Sequence, residues 1–258
     1  MRNRGLSEAI HAAGGVSELA RQIGISQPSV SNWDRVPAER VISVESVTGV
    51  DRAILRPDLY SGTKMAGGSD EVDAARAQEY GLLGTLLLRA PDAELLSGIS
   101  QLRADASPLG VAHAALAEAA DKASLESAAR EFFDLFIGLG RGELLPYGSY
   151  YLTGFLHERP LARLRDDLAR IGIARREGVA EPEDHAGILC EIMSGIISEQ
   201  FPAPAGSDRL IFEKHMAAWI RRFFVDLENA EAGDFYRCVG TLGRVFFDIE
   251  TEAFELPA

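Results

Sequence analysis

Beyond residue 71 the apolar residues recur every three or four positions almost to the end of the chain, and no stretch alternates apolar with polar residues over a strand's length. Residues in that pattern share a face only on a helix, so a sheet of any size is excluded. EVDAARAQEYGLLGTLLLRA places Ala75, Tyr80, Leu83 and Leu87 near one face. Pro91 and Pro108 stand where new helices begin, since a first turn tolerates proline and a helix interior does not. The run from Leu125 to Leu139 is amphipathic and ends in GLGRG. Further on, Ile188, Leu189, Ile192, Met193 and Ile196 form one stripe. Two long segments, DRLIFEKHMAAWIRRFFVDLENA and AGDFYRCVGTLGRVFFDIETEAF, close the chain. The expected fold class is all-α, with a helical bundle as the body.

The periodicity breaks at SGTKMAGGSDE, Ser61 to Glu71, which is rich in Gly and Ser. Such a stretch reads as a flexible linker whose ends lie about 18 Å apart. It separates a module over residues 1–60 from the body over 72–258. In that module VSELARQIG followed by ISQPSVSNW has helix-turn-helix spacing. Ala20 sits where only a small side chain fits, and Gly24 can take the left-handed turn. Ser26 is a ready N-cap and Pro28 fits a first turn. Val30 and Trp33 point inward, Trp33 as a core filler in preference to a base-stacking platform. Gln27, Ser29, Ser31, Asn32 and, if the helix continues, Arg35 then face outward, where they can meet base edges or phosphates. The stretch Gly15 to Tyr60 resembles the YdaS/Cro-like helix-turn-helix family, which implies DNA binding.

Charge is unevenly placed. Through Tyr60 seven basic and seven acidic residues cancel, so the remaining 19 basic and 32 acidic residues carry the whole net charge of −13. A neutral module lacks the phosphate attraction that supplies much DNA affinity, which leaves dimerisation or protein contact as its other use. The acidic body suits a cationic partner by long-range steering, and equally serves plain solubility.

Several function classes find no support. No Gly-Lys dipeptide, GxSxG, HExxH or CxxC occurs, so phosphate loops, serine elbows and common zinc sites are missing. GLGRG lacks the third glycine of a dinucleotide fingerprint. His185 and Cys190 are five apart and out of register on a helix, while Cys190 and Cys238 fit as buried small hydrophobes. Neither catalysis nor a cofactor is expected. The start, MRNRGLSEAIHAAGG, lacks the apolar run of a secretory signal, and the charge-free run Leu144 to His157 is too short and broken to span a bilayer. The expectation is a cytoplasmic protein without membrane insertion.

The region from Leu144 to Met193 carries the most chemistry. LPYGSYY puts Tyr147, Tyr150 and Tyr151 after a proline at a Gly-containing corner, where amphipathic rings suit a groove or the core. In EPEDH, Glu181 to His185, Pro182 pre-sets a helical φ, so Glu183 and Asp184 are expected in a first turn facing the helix dipole. Carboxylates there can pair with guanidinium groups, and His185 adds an imidazole that titrates near neutral pH. A well-capped helix with an acidic first turn is the plainer reading of the same residues.

PYGSYYLTG, PLARLRDDL, EPEDH and the closing HMAAWIRRFFVDLE and VGTLGRVFFDIETEAF together resemble the TorD/DmsD family of cytosolic chaperones for molybdenum-containing oxidoreductases. The resemblance covers most of Tyr80 to Phe254. It implies a TorD-like helical bundle that holds an apo-molybdoenzyme, often by its twin-arginine leader peptide, until the cofactor is inserted. It also implies a client site at Asp184 and His185 with Glu181, beside Tyr147, Tyr150 and Tyr151. Many relatives carry Glu-Ser after the Pro-x of the corner, where this chain has Gly148-Ser149. The alternative is a transcription regulator whose acidic body senses its client. A homodimer is compatible with either.

Overall fold

Helical spacing becomes helices: among the described residues no strand forms, only an isolated antiparallel bridge between Tyr147 and His185. The structure is a computed structural model that describes residues 3–50, 52–56, 69–175, 181–231 and 233–255. The chain divides into two units, residues 1–71 and 72–258.

The first unit contains α1 (Arg4–Ala12), α2 (Val16–Gln22), α3 (Gln27–Ser31), α4 (Val41–Thr48) and α5 (Arg52–Leu55). Leu6, Leu19, Val30, Val41, Val44 and Leu55 form its core. Gly24, at φ 70°, closes the turn between α2 and α3 in a conformation that costs other residues a steric penalty. Ala20 and Val30 are buried and Trp33 packs partly buried against them, as the spacing predicts. The second helix of the motif is shorter than expected. It ends at Ser31, Asn32 is its C-cap, and Arg35 lies beyond it. Asn32, Trp33 and Asp34 are poor helix formers, and the Asp34 carbonyl accepts the Asn3 N–H at 2.7 Å instead of continuing the helix.

The body contains α6 (Ser69–Leu88), α7 (Ala93–Ile99), α8 (Pro108–Lys122) and α9 (Leu125–Phe132), which widens into a π-type turn over Phe133–Ile137. There follow α10 (Gly148–Thr153), α11 (Arg159–Arg170) and α12 (Ala186–Ile197). Next come α13 (Ser207–Ile211), which widens over Phe212–Met216, then α14 (Ile220–Glu228) and α15 (Asp234–Glu255). Most of the expected linker, residues 61–68, lies outside the described residues, but Ser69 to Glu71 already belong to α6. Ala75 is exposed, and Ala77 joins Tyr80, Leu83 and Leu87 in the interior. Cys190 is buried and Cys238 half-buried among apolar neighbours, and burial pushes both thiols up. No helix among the described residues is long and apolar enough to cross a membrane.

The longest helix, α15, packs against α14 and α8. Rings of Tyr80, Phe212, Phe224, Phe246 and Phe247 interlock at its centre. Glu250, only 1% exposed, intrudes on this apolar surface. It survives there because Arg76 of α6 grips both oxygens at 2.7 and 2.9 Å and the Tyr80 hydroxyl donates at 2.9 Å. Removing one partner of a buried pair strands the other charge. Arg76→Ala is therefore expected to lower the unfolding free energy by about 3–5 kcal/mol, measured by urea denaturation. A loss below about 1 kcal/mol would contradict this reading of the pair.

Candidate functional site

Two loops meet to form the site. The Gly148 N–H donates to the Asp184 carbonyl at 2.8 Å and the Ala186 N–H to the Pro146 carbonyl at 2.7 Å, pinning the segment before α10 to the segment before α12. EPEDH is not the first turn of α12, as its proline suggests. The helix starts at Ala186, and His185 is its N-cap, the imidazole Nδ1 accepting the Gly187 N–H at 3.0 Å. Asp184 instead serves the neighbouring helix. Its Oδ2 accepts the Ser149 N–H at 2.8 Å and the Ser149 hydroxyl, supplying the first turn of α10 with a carboxylate from another loop. The Asp184 side chain is 3% exposed, and its Oδ1 is buried without a hydrogen-bond partner among the described residues.

His185 is also buried, edge-on to the Tyr147 ring at 5.1 Å. Burial pulls its pKa down to about 4 against the opposing pull of Glu181 and Asp184, so it is neutral near neutral pH and does not titrate there as expected from its type. The Tyr147 hydroxyl donates to Glu181 at 2.5 Å, and burial together with that carboxylate pushes the phenol well up. Glu183 turns away to Arg165, at 2.8 Å.

The three tyrosines do not form one platform. Tyr147 faces Glu181 and His185. Tyr151 is spent on packing α10 against α14: its ring lies 5.5 Å from Trp219 and 6.0 Å from Phe223, with its hydroxyl on Asp226 at 2.8 Å. Tyr150 sits edge-on to Tyr151, ring centroids 6.0 Å apart, and is held from outside by Arg141, which donates to its hydroxyl at 3.0 Å. Gly148 has a reason beyond the turn. A Cβ there would lie 3.1 Å from the Trp219 indole, so a larger residue requires Trp219 to give way.

Two cavities open at Asp184. One, about 350 Å³, is lined by Gly148, Leu152, Arg163, Asp167, Asp184 and His215, with Arg170 and Lys214 on its basic side. The other, about 240 Å³, is lined by Tyr147, Leu156, His157, Glu181, Pro182 and Asp184. Apolar side chains beside them face solvent: Leu152, Leu156 and, at 69% exposure, Phe155. Sequence reasoning missed these three, although for Phe155 and Leu156 TGFLHERP carries a signal in apolar residues that follow Gly154 off any helical stripe. It also missed Asp167, a buried carboxylate paired with His215 at 2.9 Å and Arg170 at 2.5 Å. No local pattern links residues 48 apart.

In the first unit Gln27, Ser29, Asn32 and Arg35 are exposed and Ser31 is half-buried. The Gln27 amide donates to the Ser31 hydroxyl at 2.9 Å, and Ser29 pairs with Ser26 at 2.7 Å. Gln27, Ser29 and Ser31 thus share the short helix, Asn32 caps it, and Arg35 follows it. Among the described residues no three His, Cys, Asp or Glu side chains are grouped to hold a metal.

Comparison with known proteins adds two matches. Residues 102–225 match the family described as nitrate reductase delta subunit, and residues 6–64 the family described as bacterial toxin YdaS. Chaperone protein TorD of Vibrio atlanticus is 25% identical over 142 residues, covering 51% of this chain and 66% of that protein. TorD of Vibrio cholerae El Tor is 27% identical over 133 residues, covering 48% and 60%. A DmsD of Haemophilus influenzae, assigned as a Tat proofreading chaperone, is 27% identical over 124 residues, covering 47% and 59%. These matches span less than two thirds of the length of those relatives. A solved Archaeoglobus fulgidus chain, proposed to act in redox enzyme maturation, aligns with a TM-score of 0.44 at 21% identity, covering 67% of this chain and 93% of that one.

His185 has a consequence for stability. Its folded pKa lies below the ordinary value near 6.5, so between about pH 6.5 and 4 the unfolded chain binds the extra proton and stability falls as pH falls. His185→Asn keeps a good N-cap acceptor and removes the titration. Unfolding curves across this range should lose about 2–3 kcal/mol more in the parent than in the variant. Equal slopes would mean that His185 is solvated in the folded state.

Proposed function

We take as premise that the body of this chain is TorD-like and its first unit YdaS-like, and we propose that the protein is a cytoplasmic chaperone for an apo-molybdoenzyme. One observation carries the reading: Asp184, which lines both cavities beside solvent-facing Leu152, Phe155 and Leu156, has a buried carboxylate oxygen without a hydrogen-bond partner among the described residues. A buried carboxylate oxygen without a donor is costly, and a guanidinium is the donor group that best repays it. The neighbouring apolar side chains suit the uncharged stretch of a leader peptide. The excess of acidic residues in the body steers such a cationic segment toward it. In this reading Tyr147 and Glu181 flank the bound chain, His185 holds the loop, and Tyr150 and Tyr151 support the corner. Nothing in the scheme requires a catalytic step.

Asp184→Ala is a poor test, because it also strips Ser149 of its acceptor. Asp184→Asn keeps an acceptor oxygen and removes the charge. Calorimetric titration with the leader peptide of the client should show about tenfold weaker binding for Asp184→Asn and for Phe155→Asp combined with Leu156→Asp. Unchanged affinity in both, with the fold intact, overturns the assignment of the site.

A second reading concerns the first unit and can hold alongside the first. Gln27, Ser29 and Asn32 lie exposed on and just after α3, behind the left-handed turn at Gly24. We propose that this face reads DNA, with α3 entering the major groove and Arg35 near the backbone, as a single chain or a homodimer. The chain would then regulate transcription, its body sensing client occupancy. A gel shift on the DNA upstream of its own coding region should show salt-sensitive binding, weakened several-fold by Gln27→Ala or Asn32→Ala. No shift at physiological salt removes the reading.

A further inference from the structure

On the other side of the EPEDH loop lies a groove that does not include Asp184 or Tyr147. It holds a cavity of about 140 Å³ whose apolar walls are Leu168 of α11, Ile173, Ile188 and Ile192 of α12, and Phe201. Leu168 and Ile192 are buried and make the floor, while Phe201 stands 38% exposed and packs against Gly195. An apolar cavity near this size holds a benzene ring and stays dry. The groove is therefore large enough for one aliphatic or phenyl side chain.

The border is acidic. Among the described residues, Glu181, Glu183 and Glu191 line the groove against the guanidinium of Arg175. Two of these carboxylates are engaged, Glu181 by the Tyr147 hydroxyl and Glu183 by Arg165. Glu191 forms no hydrogen bond or ion pair among the described residues, and it projects from α12 one turn beyond Ile188. Partial burial pushes its carboxyl up, against a weaker opposing pull from Arg89. Glu181 lines both this groove and the 240 Å³ cavity, so one extended chain can cross from the Asp184 side to the groove.

We propose that this groove is a second client subsite, seating one Leu-, Ile- or Phe-sized side chain of an extended peptide whose neighbouring Lys or Arg pairs with Glu191. The inference rests on the client-peptide reading above and assigns it a further contact point. A lipid or other uncharged apolar ligand would fill the cavity but leave Glu191 without a role. Charge complementarity therefore favours the peptide.

Fluorescence anisotropy on the full chain tests it with two labelled peptides, one carrying an arginine beside a leucine pair and one with glutamate in place of that arginine. The arginine peptide should bind the parent protein and lose about tenfold in affinity to Glu191→Lys, while the glutamate peptide should bind Glu191→Lys more tightly than the parent. Phe201→Ala should weaken both peptides by a similar factor, removing the apolar wall without changing the charge. Glu191 is exposed, so its charge reversal leaves the fold standing and decides the matter even if Phe201→Ala unfolds. Arginine-peptide binding that depends on Asp184 but ignores both Glu191 and Phe201 overturns the subsite and leaves the client reading in place. No binding of either peptide to the parent overturns both.

Discussion

One carboxylate holds the functional end of the body together. Asp184 takes two donors from Ser149 and so completes the first turn of α10, while its own carbonyl takes the Gly148 N–H. The loops before α10 and α12 are thereby locked, and with them the walls of both adjoining cavities. Burying a carboxylate is unfavourable unless hydrogen bonds replace its water, and here they replace it at only one oxygen. The other oxygen has no hydrogen-bond partner among the described residues, and under the proposed function it is the acceptor for a donor from the client. The structural role is shown by the Ser149 contacts, and the proposed function adds a binding role to the same side chain.

The architecture was legible from periodicity because helix formation answers to spacing three and four residues apart. Tyr80, Leu83, Leu87, Leu189 and Met193 sit inside as their stripes require. What periodicity does not carry is the partner at long range. Pro182 is compatible with a first turn and with a turn just before a helix. The choice between them falls to Ser149, 35 residues away, which holds Asp184 outside α12. The tyrosines divide for a similar reason. Tyr151 is drawn to Trp219, Phe223 and Asp226 on α14, whereas Tyr147 meets Glu181 and His185. Ala75 misled because it lies five residues before Tyr80, about 140° round the helix, whereas Ala77 lies three before it and shares its face. In the first unit the burial of Val30 followed from spacing, yet the helix stopped early because Asp34 had a backbone partner at Asn3.

Buried ions recur as fixed points of the body. Glu250 is held by Arg76 and Tyr80, Asp167 by His215 and Arg170, and Asp184 by Ser149. The first two have hydrogen bonds to both oxygens, whereas Asp184 has them to one. That difference separates ion pairs that serve the fold from a carboxylate with capacity left over. His185 remains neutral beside it near neutral pH.

The proposed function requires peptide capture at the Asp184 corner, over Leu152, Phe155 and Leu156. Hydrogen-exchange mass spectrometry of the full chain, with and without a molybdoenzyme leader peptide, tests it most directly. Residues 152–157 face solvent around an exposed apolar cluster, so their amides should exchange more slowly once the peptide is bound. Saturating peptide that leaves 152–157 unchanged, or protects only residues 16–32, would contradict it.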